Sequence, residues 1–482
     1  GNVLGYLSEV DSTTLKNPKY VGYNMGDYIG KVGLEKTYEK VLMGQRGIEF
    51  WKKDNKNRLT DKWEAGKYDT ISIAGQNIYT SLDIELQELG EKLMENKLGS
   101  IVAVDPKTGG ILCMVSAPSF KPKLLTGAER KKHISELLLN PALPLLNRSV
   151  SATYSPGSTF KTLVGIIGMA EGVIDDQMTV SCGGSYLGCG RRMGCHAAGT
   201  FTLKPAISKS CNSYFAVAFR RILDNAKVNN RDITLGLFNE YAYSFGLGKK
   251  LGVDLPSERM GNIPTSKYYQ KIFGKNWQAC NIISNSIGQG EITTTLTQLA
   301  NVMAIIANKG WYYLPHLIDS VEGGDDYEML ARFKVKQRTK NIAESIFEEV
   351  HEGMQGTMEF GTGAYAKVPG INVCGKTGTV ENAYRGESLK DHAFFGAFAP
   401  RENPRIAIAV MCENAGFGAT SAAPIASLLI EKYLRDSIAG PERKAKIEQL
   451  ANMNLIPPQM KRLMTKQDST KKVTLKKSIA KK

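Results

Sequence analysis

The chain has 482 residues, more than one simple hydrophobic core organises, so two or more domains are expected. Its 42% hydrophobic and 23% charged residues are those of an ordinary globular protein, which sets aside a fibrous or wholly disordered chain. The net charge of +15 lies partly in the lysine-rich end after Lys461, and no zinc-finger, RNP or helix-turn-helix pattern accompanies it; it fits work beside an anionic membrane or polymer better than nucleic-acid binding.

No run of about 18 apolar residues occurs, so no segment reads as a membrane-spanning helix. The chain starts at Gly1 inside sequence that already reads as structured, and a preceding segment carrying a signal or anchor is expected. Residues 1–95 mix short helical and extended patterns with many charges and hold no catalytic constellation. Within them, Gly26 to Leu42 reads as a glycine-punctuated turn leading into a short amphipathic helix, closed by Gly44 and Gly47. Asp83 opens a second helix that runs to about Asn96 and leads into the next domain.

At Ser100 the pattern changes. Ser100 to Asp105 and Ile111 to Ser116 read as two strands of a hairpin around the turn Pro106–Gly110. Three more strand-like runs come near the other end: Val373 to Val380, Ala393 to Ala399 and Arg405 to Cys412. The sequence between hairpin and trio is mostly helical in pattern, so the fold class is α+β, with one sheet assembled from both ends of a domain and helices inserted between. Ala422 to Leu434 reads as a final helix packed on that sheet. The domain reading is 1–95, 96–438 and a basic, partly disordered tail over 439–482.

The stretch Tyr154-Ser155-Pro156-Gly157-Ser158-Thr159-Phe160-Lys161 stands out. A Pro-Gly pair breaks the backbone, and Phe160, Leu163, Val164, Ile167 and Ala170 then recur at helical spacing until Gly172. Ser158 therefore falls near a helix N-terminus with Lys161 on the same face. A serine hydroxyl needs a neighbouring base to attack at neutral pH, and a buried lysine serves once its pKa is lowered. Ser-x-x-Lys alone is common by chance, as a helix cap followed by a surface lysine.

Two further motifs change its weight. Ser210-Cys211-Asn212 lies between the amphipathic stretch Leu203 to Ile207 and a helix continuing through Tyr214 to Val217, and Lys376-Thr377-Gly378-Thr379 lies in the first strand of the C-terminal trio. Together the three are an acyl-transfer signature, in order and in suitable contexts. Ser158 would attack a carbonyl and become acylated, and Lys161 would take its proton. Ser210 would relay that proton, and Asn212 would hold Lys161 or a substrate amide. Lys376 adds a cation that favours a neutral Lys161 and attracts an anionic substrate. Thr377 and Thr379 offer hydroxyls to a substrate carboxylate, and Gly378 would let the substrate backbone approach. The N–H groups of Ser158 and Thr379 are the candidate oxyanion hole.

On these residues the chain resembles a class B penicillin-binding protein of the elongation type. The likeness extends to Ser286-Ile287-Gly288-Gln289-Gly290-Glu291, to Asp391 through Pro400, and to the Gly33 to Gly44 run, which resembles the end of the family's N-terminal pedestal. It implies a serine β-lactamase/transpeptidase-like domain with an antiparallel five-stranded sheet flanked by helices, preceded by a partial pedestal. It also implies D,D-transpeptidase activity on D-Ala-D-Ala stem peptides of a lipid-linked precursor polymer, acylation by β-lactams, and no cofactor for the chemistry. The implied location is the outer, periplasmic side of the cytoplasmic membrane, beside a SEDS-type glycosyltransferase and a rod-shape scaffold protein. A serine β-lactamase shares the motifs, but no glutamate-asparagine element for a deacylating water is recognisable between Ser210 and Lys376. A non-catalytic β-lactam sensor would usually bring a His-Glu-x-x-His protease segment, which is absent from this sequence.

Four of the eight cysteines, Cys182, Cys189, Cys195 and Cys211, crowd with His196 into a glycine-rich loop region; the other four lie in apolar stretches and read as small buried hydrophobes. Soft ligands at loop spacing suit a structural Zn²⁺, and one or two disulfides suit the same residues. The resemblance adds that some elongation-type relatives carry zinc here through the middle residue of the Ser-x-Asn motif. The expected ligands are Cys182, Cys195, His196 and Cys211, with Cys189 spare.

Overall fold

The structure, a computed structural model, describes residues 1–127, 129–324, 328–384 and 387–464. In chain order, helix α1 (Ile84–Leu93) precedes the hairpin of β1 (Gly99–Val104) and β2 (Ile111–Ala117). Then come α2 (Lys161–Ala170), a second hairpin of β3 (Val180–Tyr186) and β4 (Met193–Phe201), α3 (Leu203–Ser208) and α4 (Asn212–Leu223). Helices α5 (Leu296–Ala307) and α6 (Glu344–Glu359) lead to strands β5 (Cys374–Tyr384), β6 (Glu387–Ala399) and β7 (Ile406–Cys412). Helices α7 (Ala422–Arg435) and α8 (Pro441–Asn452) follow.

The central sheet has the order β5-β6-β7-β1-β2, antiparallel throughout. Its two ends meet where β7 pairs with β1, from Ala407 opposite Val104 to Cys412 opposite Gly99. Side chains alternate across the pleat. Val102, Val104, Met114, Ala407, Ala409 and Met411 enter one core beneath α5, every residue of which is buried. Ile101, Ala103, Val115, Ile408, Val410 and Cys412 enter a second core under α1 and α7. Helices cover both faces, which is why these strands read as continuous apolar runs rather than alternating ones. Strand β5 is left at the sheet's edge, and the site is built along it.

Two local expectations are corrected. The region after Cys182, read as a glycine-rich loop, is a β-hairpin: Cys182 pairs with Gly199 and Tyr186 with Met193, and the glycines hid the alternation. The helix expected up to Leu42 is broken at Tyr38 into Gly33–Thr37 and Glu39–Leu42. The early part of the tail is ordered, because α8 docks Leu450 into the second core, Arg443 binds the buried Glu431 and donates to Ser427 Oγ at 2.9 Å, and Lys97 donates to the Leu450 carbonyl. The disorder expected further on falls on 465–482, outside the described residues.

The break at Tyr38 has a purpose. Its fully buried ring reaches the sheet-bearing part of the chain, and its hydroxyl donates to Asp254 Oδ2 at 3.0 Å. Burial raises the pKa of Asp254, while the Leu317 and Ile318 N–H groups and Tyr38 stabilise its charge. Tyr38→Phe removes one bond to a buried carboxylate, so denaturant unfolding should show a loss of about 2 kcal/mol. A loss under about 0.5 kcal/mol would mean the bond is not holding the two parts together.

Candidate active site and cysteine cluster

Gly157 adopts φ +56°, which a side chain would oppose, and a Cβ there would meet Val380 Cγ2 at 2.8 Å and Thr379 O at 3.0 Å. This turn lets the chain enter a 3₁₀ segment, Gly157–Phe160, that carries Ser158 half-exposed before α2 begins at Lys161. The turn is clamped from behind. Gly157 N donates to Gly288 O at 2.8 Å, Tyr154 and Thr294 bond each other's backbone, and Gly288, at φ +69°, passes so close that a Cβ would lie 2.3 Å from Gly157 O. The Gly-Gln-Gly segment thus supports the nucleophile turn.

Lys161 is fully buried on the first turn of α2. Its Nζ donates to Ser210 O at 2.8 Å, Ser210 Oγ at 3.0 Å and Asn212 Oδ1 at 2.5 Å. Burial lowers its pKa to about 7, against the opposing pull of the Cys195 and Cys211 sulfurs. Ser210, between α3 and α4, sits at φ +55°, which turns both its carbonyl and its hydroxyl toward Lys161. Lys376, also fully buried, donates to the same Ser210 Oγ at 2.9 Å from the other side. Its pKa lies well below the usual lysine value, because of burial and then the neighbouring Lys161. Two ammonium groups around one hydroxyl favour a state with one lysine neutral, and Ser210 can pass a proton between them.

The other expected residues fall around this centre. Asn212 holds Lys161 and donates from Nδ2 to Gly194 O at 2.6 Å, which ties α4 to the β3–β4 hairpin. Thr377 shares a 2.6 Å hydroxyl contact with Thr362, a residue that no sequence motif marks. Thr379 lies against the nucleophile turn. Gly378 is closely packed. A Cβ there would meet Phe394 Cβ at 3.0 Å, Thr159 Cγ2 at 3.3 Å and Pro156 O at 3.4 Å, so the glycine also lets β5 pack against β6 and the nucleophile turn.

Among the described residues, Cys182, Cys195 and Cys211 form the one metal-capable group, their sulfurs all within 4.8 Å of one another. The thiol contact between Cys211 and Cys195 (4.0 Å) holds Cys195 down to about 4 and pushes Cys211 up, and Asn212 N–H also donates to Cys195 at 3.1 Å. His196 does not join the group. It follows Cys195 on a strand, so its side chain faces the opposite way, to an edge contact with Phe417 at 5.8 Å. Cys189 is bonded to Cys280, so Cys280 is not the small buried hydrophobe expected of it; Cys113, Cys374 and Cys412 are buried free thiols.

Residues 99–431 match the family model of the penicillin binding protein transpeptidase domain, and residues 1–80 that of the penicillin-binding protein dimerisation domain. The chain belongs to the penicillin-binding protein transpeptidases. It is 32% identical to the peptidoglycan D,D-transpeptidase MrdA of Acinetobacter baumannii over 92% of its own length and 66% of that protein's, so it spans about two thirds of that relative. The crystal structure of Pseudomonas aeruginosa PBP2 in complex with WCK 5153 superposes with a TM-score of 0.74 at 28% identity, covering 92% of this chain and 90% of that one. A peptidoglycan synthase complex that coordinates polymerization and crosslinking contains a chain matching at TM-score 0.78 and 26% identity, over 92% of this chain and 76% of that one. The sheet, the flanking helices and the N-terminal domain are those of this penicillin-binding protein fold.

Two outcomes test the site. With Lys161 as the base, the rate at which a penicillin acylates Ser158 should climb as pH rises through about 7 and level off above it; a rate flat from pH 5 to about 8.5 would exclude that role. Gly157→Ala forces a side chain into a positive-φ turn against β5 at a strain of about 1–3 kcal/mol. Acylation should slow by about tenfold or more, read with a fluorescent penicillin.

Proposed function

We propose that this chain is a D,D-transpeptidase that cross-links peptidoglycan stem peptides during cell-wall elongation and that β-lactams acylate at the same serine. The observation that carries the reading is the Lys161–Ser210–Lys376 network beside Ser158, with Asn212 holding Lys161. Neutral Lys161 takes the Ser158 proton as Oγ attacks the penultimate D-Ala carbonyl. The N–H groups of Ser158 and Thr379 stabilise the oxyanion. Ser210 relays the proton to the leaving D-Ala nitrogen, and an acceptor amine then reverses the sequence. Thr377 and Thr379 receive the substrate's terminal carboxylate, and Lys376 supplies positive charge. The donor peptide lies along β5, whose outer edge is unpaired in the sheet.

Among the described residues, no carboxylate bonds to Lys161, Ser210 or Lys376. The relatives make peptidoglycan, a polymer outside the cytoplasm. Among the described residues, no helix is long and apolar enough to cross a membrane. We place the enzyme on the outer, periplasmic face of the cytoplasmic membrane. The match to a peptidoglycan synthase complex supports a SEDS-type glycosyltransferase as partner; a rod-shape scaffold protein is the second partner inferred.

Cys182, Cys195 and Cys211 would hold a structural zinc. Three thiols with two of the sulfurs 4.0 Å apart suit Zn–S bonds of about 2.3 Å in a tetrahedral site. Such an ion supplies a cross-link between the hairpin and the Ser210–Asn212 turn, and no catalytic step.

Mass spectrometry after penicillin treatment should show one adduct, on Ser158, lost in Ser158→Ala; an adduct elsewhere would overturn the assignment. Metal analysis of untagged protein should find about one equivalent of zinc, and less than about half an equivalent would sink the zinc site.

A further inference from the structure

Two residues that follow β7, Glu413 and Asn414, take no part in the proton path, yet between them they bond three separate pieces of the site's frame. Glu413 Oε1 accepts from the Tyr154 hydroxyl at 2.8 Å, and Tyr154 stands four residues before Ser158. The Asn414 N–H donates to His392 Nδ1, on β6, at 3.2 Å. The Asn414 side chain accepts from Asn382 Nδ2, on β5, at 2.7 Å, and Asn382 stands three residues beyond Thr379.

This pair is held from behind. The Glu413 N–H donates to Leu98 O at 2.8 Å. Arg148, almost wholly buried, donates from Nε to Glu413 Oε1 at 2.9 Å, and its other two nitrogens are committed to Leu143 O at 3.2 Å and Ala142 O at 2.9 Å. The carboxylate cannot swing away without leaving a buried guanidinium unpaired, which is costly. Asn414 turns the chain at φ +55°, a conformation that asparagine tolerates better than most side chains. Gly416 N then donates to Asp391 O at 2.9 Å, so the turn stays bound to the β6 side of the sheet.

On the reading that this is a transpeptidase, the oxyanion is received by two N–H groups on different elements, Ser158 on the nucleophile turn and Thr379 on β5. The gap between them is a distance between elements, not a property of either one. The packing of Gly157 on Thr379 and Val380 limits how close they come. The bonds to Tyr154 and Asn382 limit how far apart they move, because one hub holds a point just before one donor and a point just after the other. Ring-edge contacts of Tyr154 with His392 at 5.8 Å and Phe394 at 6.0 Å, both on β6, steady it further. We propose that Glu413 and Asn414 are positioning residues that set the width of the oxyanion hole. Their effect falls on the step in which negative charge develops, since donors placed for the oxyanion rather than for the ground-state carbonyl act on that step.

The test is stopped-flow acylation by a penicillin, which separates the dissociation constant of the first complex from the rate constant of acylation. Tyr154→Phe keeps the ring and removes the hydroxyl. It should lower the acylation rate constant about tenfold, as a donor displaced by a fraction of an ångström predicts, and leave the dissociation constant within about twofold. Glu413→Gln keeps an oxygen for the Tyr154 hydroxyl and should lose less than about threefold. Asn382→Ala removes the bond on the other side of the hole and should lower the same rate constant about threefold. General damage to the fold would move both constants together. An acylation rate constant unchanged in Tyr154→Phe or in Asn382→Ala, or a fall in affinity that accounts for the loss, overturns the proposal. Failure of the unsubstituted enzyme to take up penicillin at Ser158 would instead overturn the transpeptidase reading.

Discussion

Two lysine side chains are fully buried within hydrogen-bond reach of one serine hydroxyl, and among the described residues no carboxylate hydrogen-bonds to either. Removing an ammonium group from water is costly unless it is paired or neutral, so the fold must both hold this centre and keep it short of protons. Helix α2 brings Lys161 from below, β5 brings Lys376 from the sheet, and the strained turn at Ser210 brings the shared hydroxyl from between α3 and α4. Each comes from a different element, and the cores on both faces of the sheet fix where those elements meet. Neutral polar groups, the Asn212 amide and the Ser210 and Thr377 carbonyls, take the remaining donors without adding charge.

The nucleophile is placed by absence as much as by contact. Gly157, Gly288 and Gly378 are three points where backbone runs against backbone or against a neighbour's side chain, and a methyl group at any of them would spread the layers. Gly418 extends the pattern: the chain after β7 crosses β5 so closely that a Cβ there would lie 2.6 Å from Gly378 O. Near that crossing, Glu413 accepts from Arg148 Nε at 2.9 Å and from the Tyr154 hydroxyl at 2.8 Å. The residues flanking the nucleophile turn and the end of the sheet thus share one half-buried carboxylate.

Much of this was legible in the residues. Apolar runs bounded by turn signals located all five strands of the sheet, and Ser158, Lys161, Ser210, Asn212 and Lys376 stood out because their chemistry is unusual at those offsets. What escaped depends on contacts distant in sequence or on direction. His196 was grouped with Cys195 because neighbours in sequence look like neighbours in space, whereas a strand points them apart. Cys280 lies far from Cys189 in the chain, and nothing near it marks a partner. Thr362 has no motif and gains its place from Thr377. The close packing of Gly378 against Phe394, Thr159 and Pro156 likewise has no signal in the sequence around it.

The bond between Cys189 and Cys280 joins the tip of the β3–β4 hairpin to the segment leading into Gly288, across 91 residues. Its formation needs an oxidising compartment. The same compartment meets Cys182, Cys195 and Cys211, three thiols close enough to react with one another. Maturation of this enzyme is therefore a problem of order. On the proposed zinc site, one pair is oxidised while a neighbouring trio stays reduced, and the metal has to be in place before the oxidant arrives.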